Sequence, residues 1–101
     1  MAIVGRFHIT GSFKLTGRGL VAMGQLTEGK VRDGDWLTLD TGFGMLTIQI
    51  RGVDMGGSVS IGSSFVGLTF VWQNEEQRKT FESVQLPNQF VAIEDGPSQI
   101  S

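Results

Sequence analysis

Gly17, Arg18, Gly19, Leu20, Val21 and Ala22 form the pattern G-x-G-x-x-A, a spacing with which a chain can wrap a pyrophosphate. That chemistry requires the glycines to leave a strand and open a helix, whose first amides then hold the phosphates. Here the residues that follow, LVAMGQL (20–26), continue as strand. The pattern therefore lacks its helix. The P-loop spacing G-x-x-x-x-G-K-[ST] does not occur either, so neither GTP binding by this chain alone nor triphosphate hydrolysis is expected, and no cofactor is implied.

His8 is the only histidine and there is no cysteine, which leaves too few ligands for a transition-metal site and excludes a disulfide. Ser12 and the acidic residues allow a Ser–His–Asp combination by count, but no G-x-S-x-G elbow exists and GGSVSIG (56–62) has the wrong spacing. Asp33, Asp35 and Asp40 read as turn-capping and solvating groups rather than as paired carboxylates. No catalytic residue is expected.

Binding chemistry is better represented. Arg6, His8, Thr10, Ser12 and Lys14 share one parity, so an unbroken strand would place them on one outer face. Arg18 follows between two glycines. A strip of cations and hydroxyls suits contacts to phosphate and sugar, which position a nucleic acid without reading its sequence. A bulge at Gly11 would flip the register and split that strip. The alternative reading is a solvated face that keeps the protein soluble. Two tryptophans could stack on a base or cover a barrel mouth. Trp72 ends an apolar run and is expected to pack in the core or at its rim, whereas Trp36 stays open between the two roles.

The elements that must position these residues follow from alternation of period two. In RFHITGSFKL (6–15), Phe7, Ile9, Phe13 and Leu15 fall on the apolar face. GLVAMGQL (19–26), DWLTLD (35–40), MLTIQIRGV (45–53), SFVGLTFVW (64–72) and QFVAIE (89–94) read as five further strands. The predicted interior is Phe7, Ile9, Phe13, Leu15, Leu37, Leu39, Ile48, Ile50, Leu68 and Phe70. Only residues 74–84 differ: Asn74 as cap with Gln77 three residues on, and Glu75 and Glu76 in the first turn, predict one short helix. Six short strands and one late helix predict an all-β fold, a closed six-stranded β-barrel.

With 101 residues, 40% of them hydrophobic and 18% charged, the chain is expected to form a single domain over 1–101. No run long and apolar enough to span a membrane exists, and MAIVGRFHIT lacks the features of a signal peptide, so a soluble cytoplasmic protein is expected. The net charge is −2, divided into +3 over residues 1–27 and −5 over the rest. The basic first quarter points to RNA or a ribonucleoprotein; the acidic remainder and the aromatics allow a protein partner instead.

FKLTGRGLVAMGQLTEGKVRDGDWLTL (13–39) resembles the second domain of translational GTPases such as elongation factor Tu. The resemblance is carried by Phe13, Leu15, Thr16, Gly17, Arg18, Gly19, Val21, Gly24, Gly29, Gly34 and Asp35, without a gap. RGVDM (51–55) and FVGLTF (65–70) are similar to later family segments and fall in the right order, so the family-like region covers about 7–94. The resemblance implies the translation-factor type of six-stranded barrel, with the glycines as its corners. Where the family carries acidic tRNA-contacting residues before the first motif, this chain has Thr10 and Gly11, and Phe65 stands where the family has Asn. Arg18 alone carries over among the binding residues. The expected function is a non-enzymatic binding module with Arg6, His8, Lys14, Arg18 and Trp36 as its binding residues. Its partner is RNA or a ribonucleoprotein, or alternatively a protein for which it acts as adaptor or inhibitor.

Overall fold

Alternating apolar side chains become strands when the rows they form can be buried together. The computed structural model describes residues 2–54, 66–82 and 84–96. Its elements are β1 (Ile3–Leu15), β2 (Gly19–Gly29), β3 (Trp36–Asp40), β4 (Met45–Asp54), β5 (Val66–Phe70), α1 (Glu75–Glu82) and β6 (Gln89–Glu94). The strands close in the order β1-β2-β5-β4-β3-β6, with every neighbouring pair antiparallel. Closure leaves the barrel no long open edge to template aggregation. Ser64 and Phe65, the expected start of the fifth strand, and Met55 of the family-like segment lie outside the described residues. No helix among the described residues is long and apolar enough to cross a membrane.

Phe7, Ile9, Leu37, Leu39, Ile48, Ile50, Leu68 and Phe70 are buried in one core, as their parity predicts. Leu20, Ala22, Leu26, Val31, Val53, Val66, Leu86, Val91 and Ile93 join them there. Phe13 and Leu15 are not inside: each is 43% exposed. The reason is a bulge. Ile9 pairs with Gly24 and Gly11 pairs with Met23, so Thr10 is an extra residue on β1. One extra residue turns every following side chain to the opposite face. Beyond it, Ser12 and Lys14 pair with the core residues Ala22 and Leu20, while Phe13 pairs with Val21 outside.

Gly24 sits opposite this bulge for a steric reason. A side chain there would run into the His8 carbonyl and come within 2.9 Å of the Phe7 ring. The glycine in mid-strand therefore permits a close approach of backbones.

The helix begins where its cap was read. Asn74 Oδ1 accepts from Gln77 N at 2.7 Å, and Gln77 Oε1 accepts from Gln73 N at 2.8 Å. Both bonds satisfy amides near the helix start, which have no partner within it. The second lands one residue earlier than in the usual capping box. α1 packs on the barrel through Phe81, which stacks on Trp72 with ring centroids 5.9 Å apart. Trp72 also meets Phe70 edge-on at 6.0 Å. Trp72 is thus a half-buried rim residue, as its place at the end of an apolar strand predicts.

Candidate interaction surface

The β1–β2 hairpin carries most of the residues singled out in the sequence. Arg18 N donates to Leu15 O at 2.9 Å to close its turn, and Gly17 supplies a φ of 81° within it. Gly19 follows at φ 83°, and a side chain there would lie 2.9 Å from Arg78 Cγ and 3.1 Å from Trp72 Nε1. Trp72 Nε1 donates to Arg18 O at 3.0 Å. The glycine pair thus makes a corner against which the tryptophan and α1 seat. It is architecture, and it leaves the Arg18 side chain exposed.

The bulge at Thr10 divides the cationic strip. Arg6 and His8 stay on the outer face of β1, but both are engaged. Arg6 lies 3.5 Å from Glu28, its partner in register, and both side chains are more than half exposed. His8 Nε2 is hydrogen-bonded to Asn88 Oδ1 at 2.8 Å, and the imidazole stacks on Phe90 with centroids 4.1 Å apart. Ser12 turns toward the segment before β6: its hydroxyl donates to Val84 O at 3.3 Å and accepts from Leu86 N at 2.9 Å. Lys14 is exposed on the side of β1 that carries Ser12, not on the side of Arg6 and His8. Among the described residues, no carboxylate pairs with Lys14 or Arg18.

Trp36 lies apart from this group. It is half-buried on β3, paired with Gln49 of β4 and Glu94 of β6, and β6 separates it from β1. A small cleft of about 150 Å³ brings it near Leu46, Val71, Gln73 and Gln77. The structure therefore brings Arg6 and His8 together, sets Lys14 and Arg18 on the hairpin beyond the bulge, and leaves Trp36 elsewhere.

Two features were missed by sequence reasoning. The first is the outer apolar row made by Phe13 and Leu15, which with Val21, Val53, Gly52, Thr69 and Arg18 lines a groove of about 330 Å³. Val21 is buried there yet stands outside the barrel's core cluster. The signal for this row is Gly11, where the sequence already allows a bulge that flips the register; the interior position expected of Phe13 and Leu15 did not follow that possibility through. The second is Arg51. It is the extra residue of a bulge on β4, between Ile50 opposite Phe70 and Gly52 opposite Thr69. Arg51 and Gly17 line a neighbouring cleft of about 430 Å³ with Trp72 and Arg78. Arg78 there is compensated by Glu75 and Glu82, each at 3.3 Å.

The fold and this surface define a closed six-stranded antiparallel barrel whose β1–β2 hairpin shows apolar and cationic groups side by side. No protein-family model matches the chain, and no curated protein matches it.

Proposed function

We propose that the chain is a non-enzymatic binding module of the translation-factor barrel type and that its partner is another protein. The observation that carries this reading is the outward apolar row of Phe13 and Leu15 over Val21, next to Arg18, which has no carboxylate partner among the described residues. Apolar side chains already held together on a paired hairpin need little ordering on docking, and their burial drives association. The run of matching residues over 13–39 supports the barrel type. The proposed setting is cytoplasmic, which the absence of cysteine fits.

RNA or a ribonucleoprotein is the second reading, supported by Lys14 and Arg18 on one hairpin without carboxylate partners among the described residues. Immobilised chain exposed to native lysate, with and without nuclease, separates the two. Retained protein that survives nuclease supports the first reading. Loss of all retained material on nuclease treatment transfers the function to RNA, and an empty column rejects both.

A further inference from the structure

We propose that the groove of Phe13, Leu15, Val21 and Val53 docks an extended protein segment in which apolar side chains alternate with carboxylates, the carboxylates meeting Arg18 and Arg51. This rests on the reading of the chain as a protein-binding module; it adds the place and the chemistry of the partner.

Phe13 and Leu15 stand two residues apart on the same side of β1, and the barrel core uses neither. Their spacing along the strand, roughly 6.5–7 Å, equals that of alternate side chains in another extended chain. An extended segment laid over the hairpin meets them in register, which a helix would not. Val21 and the core residue Val53, both buried, line the groove with them, and Thr69 is tied down by its hydroxyl bond to Gly52 O at 3.2 Å. The surface is therefore already formed.

Two cations without carboxylate partners among the described residues stand around this surface. Arg18 lines the groove, and Arg51 adjoins the lining residue Gly52. The two arginines flank the same corner, because Arg51 shares its cleft with Gly17, the neighbour of Arg18. Arg6 and Arg78 carry carboxylate partners from this chain, whereas neither Arg18 nor Arg51 has one among the described residues. Arginine's planar fork matches a carboxylate in two parallel bonds. A partner with apolar groups alone would leave both charges facing its own surface. An acidic and apolar segment satisfies both.

The test uses the full chain, labelled with ¹⁵N, titrated with an acetylated synthetic peptide repeating Glu-Leu-Glu-Phe. The amides of residues 13–21 and 51–53 should shift together. Arg18→Glu combined with Arg51→Glu should weaken binding about tenfold or more, and Phe13→Ser with Leu15→Ser should do the same. All four side chains are exposed, and an unchanged far-UV spectrum verifies that each variant is folded. The charge-reversed variant should in turn bind the Lys-Leu-Lys-Phe peptide better than the original chain does. Shifts confined to other residues, or equal affinity for a Gln-Leu-Gln-Phe peptide, overturn the proposal. So does an oligouridylate that shifts the same amides at lower concentration, which would assign the groove to nucleic acid. Capture from lysate separates this proposal from the broader one. Protein retained equally by the chain and its Phe13→Ser, Leu15→Ser variant refutes the groove alone; protein retained by neither refutes the binding-module reading with it.

Discussion

Phe7 and Phe13 are six positions apart on one strand and share its parity, yet alanine at the two sites should have unequal effects. Phe7 is fully buried in the core, so its truncation removes the transfer free energy of the ring and leaves a cavity, costing about 3–5 kcal/mol. Phe13 is 43% exposed on an open face. It loses roughly half of the ~1.5–3 kcal/mol that full burial contributes, with no enclosed cavity, giving about 1 kcal/mol. A domain of this size has on the order of 5–15 kcal/mol of net stability, so the first change removes a large fraction and the second a small one. Urea unfolding followed by tryptophan fluorescence measures both. With a slope of about 1–3 kcal/mol per molar, Phe7→Ala should lower the midpoint by roughly 1–5 M, and Phe13→Ala, at the same slope, by only about a third to a fifth as much. Equal losses at the two sites would mean that β1 keeps its alternation through Thr10. The bulge, the outer groove and the division of the cationic strip would then all fall.

Other perturbations test separate contacts. Ser12→Ala removes the hydroxyl that accepts from Leu86 N, and leaving that part-buried amide unpaired should cost about 1–3 kcal/mol, read as a lowered unfolding midpoint. Asn74→Ala removes the cap on Gln77 N and should cost about 1 kcal/mol, while Asn74→Asp should retain most of the stability. Calorimetric titration of the chain with GTP and magnesium should be flat, because the sequence has no phosphate loop to supply amides and lysine; a saturable isotherm would refute this.

The strands, the helix and most of the core were legible because they depend on residues close together in sequence. Period-two alternation puts Leu37 with Leu39, Ile48 with Ile50, and Leu68 with Phe70 on shared apolar rows, and all six are buried. Asn74 and Gln77 cap their helix through bonds spanning three and four residues. The rim position of Trp72 followed from the end of an apolar strand, but its bond to Arg18 O joins residues 54 positions apart and was not legible. Tertiary structure alone decided the register of β1. Whether Thr10 is looped out depends on what β2 presents opposite it, and Gly24 is the residue that lets the two backbones close. That pairing turned Phe13 and Leu15 outward and moved Lys14 away from Arg6 and His8. A second bulge left Arg51 unpaired on β4, next to the groove residue Gly52. Charge pairing followed the same rule: Glu28 reaches Arg6 only because the barrel brings β2 alongside β1. Local periodicity determines which residues alternate, but the face each side chain reaches is a property of two strands, and one sequence stretch contains only one of them.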